Sequence, residues 1–220
     1  MARKRKQFAV IGLGRFGSSL AGTLHALGHE VLAVDSSEEL VQKFSDQVTH
    51  VIQADSTDEN ALQALGLRNF DAVVVAIGED VQANVATTLL LKEMGVPYIV
   101  AKARNALHGK MLEKIGADKV VYPERDMGQR VAHSLASTNV LDYIELSPSL
   151  GLAEVTAPGI FVGRTIQDSS IRSRFGVNVV AIKRFEDLIV PPQPTEMICE
   201  GDVLIVIGPT EGLQKLEVLV

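Results

Sequence analysis

The sequence predicts an α/β protein: a doubly wound parallel sheet over residues 1–144, followed by a second, smaller α+β domain over residues 145–220. Three observations carry this expectation. The run Phe8-Ala-Val-Ile-Gly-Leu-Gly-Arg-Phe-Gly17 is an apolar strand leading directly into a G-x-G-x-x-G turn. Short aliphatic runs then alternate with longer helical stretches, the pattern of buried parallel strands joined by crossover helices. Near Asn139–Ile144 that rhythm gives way to short strands, a Pro-rich loop and two short helices.

In chain order, the first domain's strands are expected at Phe8–Ile11, Val31–Val34, Val48–Gln53, Ala72–Ala76, Tyr98–Lys102 and Lys119–Tyr122. Each is four to six residues of mostly Val, Ile and Ala, too short for a helix and bounded by turn residues. Helices are expected at Arg15–Leu27, Glu38–Asp46, Asp58–Leu65, Val81–Met94 and Ala106–Ile115. Asp58 and Asp80 are placed as N-caps, and Gly28, Gly66, Gly95 and Gly116 stand where helices should stop. A further helix, Glu124–Ser137, carries Met127, Val131 and Leu135 at a spacing of four, so one of its faces is apolar. It either closes the first domain or leaves it to pack against another subunit. Beyond residue 145, strands are expected at Ala153–Thr156, Asn178–Lys183, Asp187–Val190 and Val203–Ile207, with helices at Ile166–Arg174 and Glu211–Leu219. Phe185-Glu-Asp187 reads as a hairpin turn, and Pro191-Pro-Gln-Pro194 cannot be a central strand.

The glycine turn points to a nucleotide. Gly12 permits the tight turn, Gly14 lets backbone approach a diphosphate, and Gly17 lets the helix pack against the sheet. The helix N-terminus then offers unpaired N–H groups and a partial positive charge to phosphates. Asp35 ends the second strand about eighteen residues beyond Gly17, where a carboxylate accepts hydrogen bonds from a ribose hydroxyl pair and repels a 2′-phosphate.

Composition narrows the function classes. With 46% hydrophobic and 22% charged residues the chain has the make-up of an ordinary globular protein. A net charge of −6 removes the electrostatic case for nucleic acid, and Arg3-Lys-Arg-Lys6 reads as a solvated arm. The apolar run after that arm is short and interrupted by Arg15, which does not suit a signal peptide, and no run is long enough to span a bilayer. The single cysteine, Cys199, excludes an internal disulfide framework and suits a reducing cytoplasm.

Catalytic machinery is not evident. Tyr98 and Lys102 have the spacing of a dehydrogenase acid and its helper, but on a strand they stand about 13 Å apart rather than meeting on a helix face. The histidines form no zinc-binding pair, and His108 is expected on a solvated helix face. Neither a nucleophile elbow nor a P-loop lysine occurs. A nucleotide site without acid–base groups fits binding and sensing better than turnover.

Several motifs in order carry a family resemblance: Ile11-Gly-Leu-Gly-Arg-Phe-Gly17, Gln53-Ala-Asp-Ser-Thr57, Val74-Val-Ala-Ile-Gly78, Glu113-Lys-Ile-Gly-Ala-Asp-Lys119 and Tyr122-Pro-Glu-Arg-Asp-Met-Gly128. Over about Gln7–Ile144 the chain resembles the Rossmann-like RCK (KTN) domains that regulate potassium channels and transporters, and the rest resembles the C-terminal domain that follows them. With both domains and no membrane segment, it is most similar to cytosolic regulatory subunits of bacterial Ktr potassium transporters. The resemblance implies a homo-octameric ring docked beneath a potassium-translocating membrane subunit of the Ktr/Trk type, at the inner face of the cell membrane. ATP and ADP would compete for the glycine-motif site. Gly12, Gly14, Arg15, Phe16 and Gly17 would surround the phosphates, with Arg15 sensing the γ-phosphate. Asp35 and Ser36 would lie at the ribose, and Asp55 and Ser56 would face the adenosine. Ala76, Ile77 and Gly78 would form the opposing backbone wall, with Lys102 near the phosphates. Glu124 matches the carboxylate that binds a divalent cation, Mg²⁺ or Ca²⁺, beside the γ-phosphate. Relatives bind cyclic di-AMP through a helix-to-strand region that corresponds here to Arg172 and Asn178.

Plainer readings stand beside these. Arg15 could be a solvated first-turn residue, although a cation is unfavourable there without an anionic partner. Glu124 reads equally as a residue favouring its helix start, and Asp55 as a turn residue. Arg172 could be an exposed helix charge, and Asn178 a turn residue at a strand start. The alternative function is an NAD(H)-dependent oxidoreductase or NADH-sensing regulator, which would share the glycine motif and Asp35.

Overall fold

The computed structural model describes residues 5–137 and 139–219. The chain divides into two compact units, Met1–Pro123 and Glu124–Val220. In the first, strands β1 (Gln7–Ile11), β2 (Glu30–Asp35), β3 (His50–Gln53), β4 (Ala72–Val75), β5 (Ile99–Lys102) and β6 (Lys119–Val121) form one parallel sheet in the order β3-β2-β1-β4-β5-β6. Helices α1 (Arg15–Ala26), α2 (Glu38–Phe44), α3 (Glu59–Ala64), α4 (Val81–Glu93) and α5 (Ala106–Lys114) connect them.

The period of two along each strand builds a core on both faces. Ala9 and Ile11 of β1, with Val73 and Val75 of β4, face one layer that includes Leu62, Leu91 and Leu112 from α3, α4 and α5. Val10 and Val74 face the other, with Ala21 of α1 and Phe44 of α2. Every residue in the central strand β4 is buried, as a parallel strand covered on both sides requires. The helix signals expected from sequence are in place. Asp58 accepts from the Asn60 and Ala61 amides, Asp80 accepts from the Ala83 amide, and Gly28, Gly66, Gly95 and Gly116 all have positive φ.

The second unit holds α6 (Pro123–Ala136, which begins on the last residue of the first unit) and an antiparallel sheet. Its strands β7 (Val140–Ser147), β8 (Leu150–Thr156), β9 (Asn178–Arg184), β10 (Asp187–Ile189) and β11 (Val203–Pro209) lie in the order β10-β9-β11-β8-β7. Helices α7 (Ile166–Ser169), α8 (Ile171–Phe175) and α9 (Thr210–Glu217) complete it. Phe161, Ile171, Ile182, Leu204 and Leu213 are at the centre of its core.

Three local differences from the sequence expectation have physical causes. β7 was not expected as a strand; it is an edge strand whose Asp142 and Glu145 interrupt the apolar alternation, and pairing with β8 is what holds it extended. The single helix expected at Ile166–Arg174 is two, because Ser170 adopts a left-handed conformation with φ 53° between them. The helix that the sequence grouped with the first domain falls in the second unit, where Arg130 pairs with Asp142 of β7 and the His133 ring lies 4.4 Å from that of Tyr143. Among the described residues, no helix is long and apolar enough to cross a membrane.

Candidate functional site

The strand order reverses between β1 and β4, so the connections leave those two strands in opposite directions and open a crevice at their carboxyl ends. A cleft of about 420 Å³ lies there. Its walls bring together Gly12, Asp35, Ser36, Asp55, Ser56 and Ile77.

The glycines divide the work of the turn. Gly12 has φ +96°, and a Cβ on it would stand 3.0 Å from the Ile77 amide nitrogen. A Cβ on Gly17 would stand 1.8 Å from the Gly12 carbonyl oxygen, so only glycine lets α1 pack this close to the turn. Gly14 differs from both. Its backbone is extended with φ −62°, and a Cβ there would meet nothing within 4 Å. Among the described residues no atom requires glycine at this position, and the space beside it is open.

Helix α1 also begins differently from its neighbours. Ser37, Asp58, Asp80 and Asn105 each cap α2, α3, α4 and α5 through a side chain. At α1 the N-cap is Gly14, with no side-chain hydrogen bond and no acid in the first turn. The Gly14 carbonyl accepts from Ser18, and the earlier amides of the turn lack intrahelical acceptors. Arg15 is exposed, while Phe16 packs against the apolar layer beneath α1.

Asp35 is held between two amides: Oδ2 accepts from Leu13 at 2.6 Å and Oδ1 from Ser37 at 2.8 Å. It therefore links the end of β2 to the glycine turn. Asp55 Oδ1 accepts from the Thr57 hydroxyl at 2.7 Å and the Thr57 amide at 2.9 Å. Those bonds, the hydroxyl's first, hold the carboxyl below its ordinary pKa. The turn role foreseen for Asp55 is thus real, and the residue lines the cleft as well. Ala76 is buried behind the turn. Beyond Ile77, a Cβ on Gly78 would lie 2.9 Å from the Lys102 ammonium nitrogen, so Lys102 reaches back over that wall.

Glu79, Asp80 and Thr57 line the cleft without having been foreseen. Asn84, Thr87 and Thr88 were missed too; they are buried polar residues on α4, a helix that also carries Gln82, Lys92 and Glu93, so polarity alone did not mark them as buried. His108 is a correction: it is 3% exposed, its Nδ1 accepts from the Arg104 amide, and burial lowers its pKa. The turn of chain before α5 folds over it, which helical periodicity alone did not reveal.

In the second unit, Arg172 of α8 and Asn178 at the start of β9 share a cleft of about 670 Å³ with Ser170 and Pro192. Glu124 is exposed in the first turn of α6. Among the described residues, no group of three or more His, Cys, Asp or Glu side chains is arranged to hold a metal ion.

Residues 8–123 match the TrkA-N domain and residues 151–220 match the TrkA-C domain. The chain is 51% identical over 213 residues to Ktr system potassium uptake protein C of Bacillus subtilis (strain 168), covering 97% of this chain and 96% of the relative. It is 47% identical over 214 residues to Ktr system potassium uptake protein A of the same organism, with the same coverage of 97% and 96%. The crystal structure of the GsuK RCK domain matches 100% of this chain with a TM-score of 0.70 and 24% identity, a likeness of fold. The chain spans 48% of that structure's chain.

Proposed function

Because the chain belongs to the TrkA-N/TrkA-C family of potassium-uptake proteins, we propose that it is a non-catalytic regulatory subunit gating potassium uptake through adenine nucleotides at the glycine-turn cleft. One observation carries the nucleotide assignment: α1 alone among the first five helices begins without a side-chain cap, beside a glycine whose Cβ would meet open space. First-turn amides without intrahelical acceptors and a helix dipole at that point favour a phosphate group. Asp35 then takes the ribose, and Ser36, Asp55 and Ser56 flank the nucleoside.

Gating requires that ATP bind one state of the assembly more tightly than another, since equal affinity shifts nothing. The γ-phosphate supplies that difference through Arg15. Asp35, Asp55, Glu79 and Asp80 all line the cleft, so a polyphosphate there benefits from a counter-cation. Glu124 contributes a carboxylate to a divalent ion whose remaining ligands are phosphate and water oxygens, as hard cations prefer. Assembly into a ring is supported by the apolar stripe of α6, where Met127, Val131 and Leu135 are 54%, 49% and 82% exposed. The ring acts on a potassium-translocating membrane subunit from its cytoplasmic side. Arg172 and Asn178 make the second cleft a site for cyclic di-AMP, with the guanidinium on phosphate and the amide on a base edge.

Thermal-shift titration with ATP, ADP, NAD and NADH, each with and without Mg²⁺, tests the reading, because stabilisation tracks affinity for the folded state. Stabilisation by ATP and ADP with different Mg²⁺ dependence is the expected result. Stabilisation by NADH alone would replace it with an NADH-sensing role. Arg15→Ala should weaken ATP about tenfold, the scale of one charge-assisted hydrogen bond, and leave ADP nearly unchanged in a competition assay. Equal loss of both ligands would remove Arg15 from the γ-phosphate.

A further inference from the structure

Helix α4 turns polar residues toward the sheet, where packing alone would favour apolar ones. Asn84, Thr87 and Thr88 are each 0% exposed. Thr88 spends its hydroxyl inside the helix, on the Asn84 carbonyl at 2.8 Å. The other two reach out of it. Asn84 Nδ2 donates to the Ile77 carbonyl at 2.6 Å and to the Lys102 carbonyl at 3.0 Å, tying together the ends of β4 and β5. Thr87 Oγ1 donates to the Ser56 carbonyl at 3.1 Å and lies 2.9 Å from Ser56 Oγ. With the threonine proton committed to the carbonyl, the serine hydroxyl is the donor of the second bond.

These contacts fall on the two sides of the cleft. Ile77 is the residue whose amide backs Gly12, at 3.0 Å from where a Cβ would stand, so Asn84 holds the wall behind the glycine turn. Ser56 follows Asp55 on the nucleoside side, where the Ala54 amide also bonds the Asp35 carbonyl at 3.0 Å. Among the described residues, the buried Asn84 Oδ1 has no hydrogen-bond partner. A buried unsatisfied acceptor is destabilising, so this asparagine is a poor choice for packing alone.

We propose that Asn84 and Thr87 are positioning residues that set the nucleotide cleft from behind, Asn84 at its phosphate end and Thr87 at its nucleoside end. The proposal rests on the nucleotide reading of the glycine-turn cleft. It gives the two residues different signatures. Loss at the nucleoside end weakens every ligand containing adenosine by the same factor, whereas loss at the phosphate end grows with the number of phosphates.

Calorimetric titration of the full-length protein with adenosine, ADP and ATP, below the melting temperature of each variant, separates positioning from stability. Thr87→Val should weaken all three by about fivefold, the scale of one neutral hydrogen bond, and Thr87→Ser should restore them. Asn84→Ala should weaken ADP and ATP about tenfold while adenosine changes less than twofold. Lower melting temperatures with unchanged affinities would overturn the proposal and leave both residues a purely structural part. So would an Asn84→Ala loss equal across the three ligands. If Asn84→Ala does not fold, the Thr87→Val and Thr87→Ser pair decides the matter. Wild-type protein that binds none of the three overturns the nucleotide reading itself, before any variant is compared.

Discussion

The two units each contain a cleft, and they build it by different means. In the first, backbone sets the frame: the ends of β1 and β4, a glycine turn and an uncapped helix, with Asp35 bridging two amides and further carboxylates along the walls. In the second, the cleft lies among two very short helices, a strand start and a Pro-rich loop, and its distinctive groups are the side chains of Arg172 and Asn178. A backbone site is constrained at many atoms at once and is announced by glycine. A side-chain site can be carried on elements whose own sequence says little. The units also differ in what lies beneath. Two aliphatic layers sandwich the parallel sheet, whereas the antiparallel unit adds to its apolar core a partly exposed charge network around the buried Asp202.

The largest effects should come from the glycines that touch backbone. A Cβ on Gly17 would lie 1.8 Å from the Gly12 oxygen, and one on Gly212 would lie 2.1 Å from the Phe175 oxygen. Gly17→Ala and Gly212→Ala should each destabilise their own unit by about 3 kcal/mol, the upper range for overpacking. Hydrogen exchange resolved by segment checks it: protection should fall in the parallel sheet for the first and in the antiparallel sheet for the second. Loss spread evenly over both would erase the distinction between the units.

Next comes the charge network. Asp202 is 1% exposed, and Arg184 donates to both of its oxygens at 2.9 Å while also reaching Glu196 at 3.1 Å. Burial works against the Asp202 charge, but the Arg184 guanidinium and the Cys199 amide outweigh it and hold its pKa below the ordinary value. The folded pKa is depressed, so this stabilisation is fully present above the unfolded value of about 3.9 and is lost as pH falls through the lower folded value. Asp202→Asn should cost about 3 kcal/mol at neutral pH by leaving Arg184 short of its partner. Acid below pH 4 should selectively loosen the second sheet of the wild type, and uniform loosening of both sheets would contradict the assignment.

Gly14→Ala sharpens the contrast within the first cleft. Alanine fits both the backbone angles and the space, so melting without ligand should move by less than about 0.5 kcal/mol. Nucleotide affinity should still fall about tenfold or more, because the methyl group enters the volume assigned to phosphate. The smallest effect belongs to the hairpin tip of the second unit. Phe185 is 87% exposed at φ 53°, a left-handed conformation that disfavours a bulky residue. Phe185→Gly should stabilise that unit by about 0.5–1 kcal/mol in chemical unfolding, and destabilisation would mean that the aromatic ring is held by contacts within the chain.

Much of this was legible in the amino-acid order. The strand-to-glycine-turn run, the caps at Asp58 and Asp80 and the helix-stopping glycines placed the six parallel strands and the five helices between them to within a residue or two, because those signals are local and repeat. The motif resemblance to RCK domains likewise agrees with the TrkA-N and TrkA-C matches. Tertiary structure alone decided the rest. β7 becomes a strand only when β8 pairs with it, since an edge strand carrying Asp142 and Glu145 lacks an apolar period of its own. The helix after residue 165 breaks at Ser170, a residue with no strong preference for the left-handed region. The burial of His108, Asn84 and Thr87 also came only from the fold, because each is polar and is accommodated by partners distant in the chain or by loops packed over it. Local signals specify elements and turns through backbone sterics. Buried polar contacts depend on which chain ends the sheet brings together, and no single stretch of sequence contains that information.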